Sequence, residues 1–581
     1  MACFRLFTSL YCTLPLLALL LVLFSSSSYT SLAIVDESSL SSPVPKDSIC
    51  KSTPYPNHCK SVLPSNKSSN VYDYGRFSVS ESLSSAKKFL RLVNKYLRDK
   101  TLSVMAVRAL EDCQLLAELN IDFLLNSSTT VNSTQNLATL QADDVQTLLS
   151  AILTNQQTCL DGLQTTSSAW NVKDGLYTPL SNNTMLYSVS LALFTKGWVH
   201  KQKKTHQGRE LMMFSRMGID RNGRFGLRMK NHHREIYESI SGRKLAQHTT
   251  QNQVKVRDMV VVKKDGSGNF TTIHEALAAA PNNTNITDGY FMIYVVAGVY
   301  DEYVTVGQNK LNVMMVGDGI RKTVITGNRS VADGWTTFNS ATFIVLGQRF
   351  VAVNMTFRNT AGANKSQAVA VRNSADLSTF YKCSFEAYQD TLYAHSLRQF
   401  YSKCDIYGTI DFIFGNAAAV FQSCDIYARL PLQQQYNTIT AQGRTDPNQN
   451  TGTSLHGCKI RSTVQLASSN RTVMTFLGRP WRPYSRTVIM QSFIDGLVDP
   501  AGWIDWGGNT TDLSSLYYAE FNNTGTGAVT TNRVQWPGYH LINATDASNF
   551  TVSGFLLGDR WLNGTGVPYT AGFLKTLPSL S

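Results

Sequence analysis

Two domains of different class are predicted, an N-terminal all-α helical bundle and a C-terminal all-β parallel β-helix, and three observations carry this. From about Cys50 to Trp198, apolar residues recur every three or four positions. After Met259 the chain breaks into many short strand-like runs without long helices between them, which excludes a doubly wound sheet. Between Phe380 and Ala428 there is an imperfect repeat. Phe380, Phe400 and Phe421 each open a short apolar segment, and each is followed by a cysteine (Cys383, Cys404, Cys424), these lying 21 and 20 residues apart. A sandwich would also hold short strands, but a period near 20 favours a coil that stacks turn on turn.

At 581 residues the chain is too long for one ordinary core. Arg5 precedes an apolar run from Leu14 to Phe24, shorter than a membrane span, followed by serines and a small-residue site near Ala33. Residues 1–33 therefore read as a cleaved secretory signal. Residues 34–200 form the bundle. The stretches 79–97, 103–125 and 139–163 are amphipathic with Ser or Thr near their starts, as expected of an up-and-down four-helix bundle. This half carries no paired carboxylates, nucleophile or metal set and reads as a binding or regulatory module.

Residues 201–258 read as a basic linker. Residues 201–264 hold 16 Lys and Arg against 5 Asp and Glu, so most of the formal +13 lies in this one connector. It suits processing or polyanion binding, or a solvated, poorly ordered linker. Nucleic acid is a poor partner for an exported chain with no other basic patch. From 259 to 581 the β signature runs to the end. The glycine-rich DGSGNF at 265–270 lacks the Gly-Lys-Ser/Thr ending of a phosphate loop, which excludes that nucleotide site.

Cys3 and Cys12 would leave with the signal. The other eight fall into two groups of four, as expected of disulfides within two domains. Cys50 and Cys59 would staple a hairpin, and Cys113 and Cys159 would join two helices. In the second group neighbouring turns favour Cys383–Cys404, leaving Cys424 with Cys458, though Cys404–Cys424 is nearly as short. No spacing suits a metal. Sixteen Asn-x-Ser/Thr sequons, Asn66 to Asn563, agree with export.

Asp390 and Asp411 each follow a repeat cysteine by seven residues, and Gln389 and Gln367 are 22 residues apart. Adjacent turns about 4.8 Å apart would bring two carboxylates and two amides onto one face. Close like charges resist double ionisation, so one carboxyl can stay protonated and serve as an acid.

The motifs GVYDE (298–302), GWTTFNSATF (334–343), QAVAVRN (367–373), YQDTLY (388–393), DFIFGNA (411–417) and LGRPW (477–481) together resemble plant pectin methylesterases. In the first half ALEDC (109–113) and LTNQQTCLDG (153–162), with the four cysteines, resemble pectin methylesterase inhibitor domains. The resemblance implies a right-handed β-helix and a carboxylic ester hydrolase that turns methyl-esterified homogalacturonan into pectate and methanol, with no cofactor. It implies Asp411 as nucleophile, Asp390 as acid and then base, Gln389 and Gln367 as oxyanion donors, and Arg479 as the partner of Asp411. Thr337 and Trp481 match substrate-binding positions, and Trp503 is expected to extend the aromatic wall.

The same resemblance implies a secreted, cell-wall precursor held silent by its inhibitor-like region. A subtilisin-like protease would cut at Arg243-Lys244-Leu245-Ala246, with Arg209-Glu210-Leu211-Met212 as a second site. The mature enzyme is expected to be a monomer and a target of separate inhibitor proteins. Two rival readings are a pectin-depolymerising β-helix enzyme and a catalytically silent protein acting through its inhibitor domain.

Overall fold

Asn70 and Asp73 close a capping box that starts the first long helix of the bundle, and Ser103 caps the second. The computed structural model describes residues 40–65, 68–166, 170–199, 227–243, 254–507 and 513–575. Two short helices, α1 (Lys46–Cys50) and α2 (Pro56–Val62), are joined by the Cys50–Cys59 disulfide. Four long helices follow: α3 (Val71–Tyr96), α4 (Val104–Ser133), α5 (Thr139–Thr165) and α6 (Trp170–Trp198). Val79, Ala86, Phe89 and Val93 give α3 its buried stripe, and Cys113–Cys159 ties α4 to α5.

The second half is a coil of parallel strands in three sheets of 12, 8 and 7 strands. Every strand pairs with its equivalent on the next turn, as the near-20 period predicts. Like residues stack inside: Phe380 on Tyr401 at 5.3 Å and Tyr401 on Phe421 at 4.5 Å. One corner of each turn uses a residue at positive φ (Asn354, Lys382, Lys403, Ser423), which lets the chain bend sharply into the next sheet.

Two expectations are corrected. Cys383, Cys404, Cys424 and Cys458 are all free, buried thiols. Ser384 pairs with Asp405, Asp405 with Asp425 and Asp425 with Lys459, so the cysteines just before them share one register. In-register neighbours in a parallel sheet point the same way rather than at each other. The thiols therefore form a ladder, each Sγ donating to a carbonyl of the turn before, as Cys404 does to Phe380. The connector is also not simply a solvated linker. Leu227–Arg228 adds a strand to the edge of the 12-stranded sheet, beside Val254–Val262, so the sheet begins before residue 259. Helix α7 (Asn231–Ser241) packs Tyr237 against Tyr294, and the Arg243 guanidinium donates to the Asp318 carbonyl. Residues 1–33, Arg209–Met212, and Lys244 to Ala246 lie outside the described residues.

Candidate active site

The seven-stranded sheet forms the floor of a cleft. Its strands run Val304–Val306, Phe343–Val345, Val371–Asn373, Leu392–Ala394, Ile413–Gly415, Asn437–Gln442 and Thr475–Gly478. Ile344, Arg372, Tyr393, Phe414 and Ala441 stand in one register row across it. Asp390 and Asp411 each lie two residues before a floor strand, and Leu392 pairs with Ile413. The aspartates thus occupy equivalent places on adjacent turns, with backbones about 4.8 Å apart. Both have positive φ, 62° and 50°, a conformation costly for most side chains but tolerated by Asp.

Their surroundings differ. Asp411 accepts two bonds from Arg479, Nε to Oδ1 at 2.8 Å and Nη2 to Oδ2 at 2.6 Å, and a third from Thr438 Oγ1 at 2.7 Å. This two-pronged grip fixes the plane and orientation of the carboxylate. The guanidinium is set by Tyr436, whose hydroxyl it reaches at 3.2 Å, and by the Trp506 ring at 4.2 Å. Asp390, only 7% exposed, is held well above the usual carboxylate range. Burial is the main cause, the Asp411 charge adds to it, and Arg479 opposes it. Asp390 is thus poised to carry a proton beside the carboxylate that Arg479 holds.

Gln367, Gln389, Thr337 and Trp481 line the same cavity of about 550 Å³ as the two aspartates and Arg479. Ala368 N–H bonds the Gln389 carbonyl, so Gln367 stands one residue ahead of Gln389 rather than opposite it. Trp503 is corrected. It is buried in the β-helix core against Tyr518 at 4.3 Å and donates to Glu520, away from the cleft. The residue that extends the aromatic wall is Trp506, stacked on Trp481 at 6.5 Å. Both tryptophans lie in GWIDWGG, and nothing in that stretch says which one turns inward.

The bundle closes the cleft. Thr158, Asp161, Gln164 and Thr165 of α5 line the cavity together with the aspartates. Asp161 pairs with Arg482 beside Trp481, and Thr158 bonds the buried His395 at 3.0 Å. Arg398 is held by Asp143 and Asp144 of α5 as well as by Asp376 of its own domain, each at 2.7 Å. Asp112 of α4 accepts from Thr336 and Asn339. Leu110, Leu163 and Leu176 of the bundle share one apolar cluster with Ile344, Tyr393 and Phe414 of the floor. Thr438, Tyr436 and His395 lie in no motif that marks them, and only strand register brings them forward; Arg372 lies within QAVAVRN, which does not say that its side chain is buried, and Trp506 lies in a loop that no strand period governs. Among the described residues, no group of three or more His, Cys, Asp or Glu is placed to hold a metal.

Comparison with known proteins agrees with this division. A family model described as pectinesterase matches residues 259–559, and one described as plant invertase/pectin methylesterase inhibitor matches 46–193. The chain is 58% identical to the Arabidopsis thaliana "Probable pectinesterase/pectinesterase inhibitor 41", over 91% of this chain and 94% of that one. It is 42% identical to the Citrus sinensis "Pectinesterase 2", over 96% and 99%. The solved "Pectin methylesterase from Carrot" is 51% identical with a TM-score of 0.53, covering 54% of this chain and 98% of its own. The chain belongs to the pectinesterase family, as a β-helical esterase domain preceded by an inhibitor-type helical domain.

Proposed function

We propose that the β-helix hydrolyses the methyl esters of homogalacturonan by a two-step aspartyl mechanism, and that the helical domain keeps the precursor silent. The reading rests above all on one observation: of two aspartates on adjacent turns, only Asp411 is gripped by Arg479.

Asp411 attacks the ester carbonyl, and the amide N–H groups of Gln367 and Gln389 receive the oxyanion. Asp390 gives its proton to the departing methoxide and methanol leaves, with the galacturonate held as an anhydride on Asp411. Asp390, now a carboxylate, takes a proton from water, which attacks the anhydride, releases the free acid and restores Asp411. Thr337 and Trp481 position the sugar chain.

In this account the protein is exported to the cell wall. A subtilisin-like protease cuts near Arg243 and Lys244, and the released enzyme works as a monomer open to separate inhibitor proteins. The docked Arg243 supports a site that must loosen before it is cut. The test is methanol release from highly methylated pectin by a chain beginning at residue 227, beside Asp411→Asn, with polymer length followed in the same tubes. Methanol from the wild type alone at constant length is expected. Shortened polymer would favour a depolymerising enzyme, and no methanol from folded protein would favour a silent one.

A further inference from the structure

The chain before residue 244 grips the β-helix on two different sheets. The bundle sits over the seven-stranded floor, where Leu110, Leu163 and Leu176 share an apolar cluster with Ile344, Tyr393 and Phe414. The strap 227–243 lies instead on the twelve-stranded sheet. Leu227 and Arg228 pair in parallel with Val254 and Lys255 and take the edge position of that sheet. Leu227 and Tyr237 are 2% and 4% exposed, and with Met229 and Ile236 they pack in one cluster with Val256, Met259 and Tyr294. His233 Nε2 lies 3.3 Å from the Asp258 carboxylate, and the Arg243 guanidinium donates to the Asp318 carbonyl. Asp318 is itself fixed by the Tyr294 hydroxyl at 2.6 Å and the Ala297 N–H at 2.7 Å. Among the described residues, the strap's cluster contains none of the bundle, so the two holds are independent.

We propose that the strap is a second anchor of the inhibitor-type domain, and that the edge strand Val254–Val262 with its apolar face is the surface it recognises. This rests on the reading that the bundle silences the cleft and that processing falls near Arg243. A cut after Lys244 separates the strap from Val254 along the chain. It breaks neither the pairing of Leu227 with Val254, nor the packing of Tyr237 on Tyr294, nor the His233–Asp258 pair. Bundle and strap, still one chain, then hold the esterase as a two-site inhibitor. An added strand supplies main-chain bonds at a sheet edge, and its apolar side chains supply the selectivity. Two linked sites bind more tightly than either alone, because docking of one keeps the other at high local concentration. A cut between residues 199 and 227 acts differently. It leaves the strap on the esterase as the edge strand of its own sheet, which stays covered. The bundle must then hold the cleft unaided. The position of the cut, and not cutting alone, decides how readily the enzyme is released.

The test uses the full chain carrying one engineered protease site, either in place of residues 244–246 or between residues 199 and 227, and cut to completion. Each cut protein is diluted in steps. Association of its two fragments is followed by size-exclusion chromatography with light scattering, and methanol release from pectin is read in the same samples. The chain cut at 244–246 is expected to stay associated, and silent, down to a concentration roughly a hundredfold lower than the chain cut before the strap. Tyr237→Ala and Leu227→Asp, made separately, should each bring the first chain towards the second. The same variants cut before the strap should dissociate like their parent, which also shows that the β-helix has folded. Equal dissociation for the two cuts, or a difference that survives both variants, would overturn the anchor. Fragments that separate as expected while no sample releases methanol would support the anchor and overturn the esterase reading.

Discussion

Burial of Asp112 makes docking of the inhibitor-type domain a proton-linked event. In the docked state its carboxyl is raised from 3.8 to about 7, by desolvation first, with Glu111 adding and Thr336, Arg372 and Asn339 opposing. Docking therefore takes up a proton between those values. The contribution is complete below 3.8 and is lost as pH rises through about 7. At 1.36 kcal/mol per pH unit the full span is on the order of 4 kcal/mol, and local rearrangement leaves about 2 kcal/mol as a floor, roughly thirtyfold in affinity. Burial also raises Asp143 and Asp446 in the same interface, with the same sign. His395 acts the other way: burial holds it well below its ordinary value of 6.5, so docking expels its proton at low pH. Asp112→Asn isolates the first group, since the amide stands for the neutral acid at every pH. The assay is inhibition of a chain beginning at residue 227 by the separate bundle, residues 40–199, from pH 4 to pH 8. The ratio of wild-type to Asp112→Asn inhibition constants is expected to rise with pH by about thirtyfold or more. A ratio that stays flat, or falls with pH, would refute the reasoning.

Three further outcomes are expected. Arg479→Lys keeps the charge but loses the two-pronged grip on Asp411, so kcat for methanol release should fall by about a hundredfold with little change in KM. Asp411→Asn removes the like charge beside Asp390, so Asp390 should titrate at lower pH, read by carbon NMR of the carboxyl groups. Cys113→Ser opens the tie between α4 and α5 and should cost the bundle about 2–4 kcal/mol in a denaturation curve, whereas mild reduction should leave the β-helix melt unchanged because its four cysteines are already thiols.

The β-helix and its reacting pair were legible because both depend on one number. A period of 21 residues equals the strand register, so Asp390 and Asp411 meet as their spacing predicts. The same regularity misleads for the cysteines: an even count on neighbouring turns suggests pairing, yet side chains in parallel register run alongside each other. Trp503 and Trp506 lie three residues apart in a loop, where no strand period decides which side chain enters the core. The strap of 227–243 was hidden by its basic charge, although α7 carries apolar residues at 236, 237 and 240 that suit one face. Docking of the bundle was expected from resemblance, but its contacts were not. Asp112 and Thr336 are 224 residues apart, and no local pattern couples them.

The central claim is a single centre built on Asp411 and sealed by the chain's own N-terminal domain. It is tested by methanol release from the intact chain and from the same protein after a cut between residues 199 and 227 and removal of the bundle, each with and without Asp411→Asn. The account predicts a silent intact chain, an active released β-helix and no activity from either Asp411→Asn form. An intact chain as active as the released one, or methanol from the Asp411→Asn protein at the wild-type rate, would contradict it.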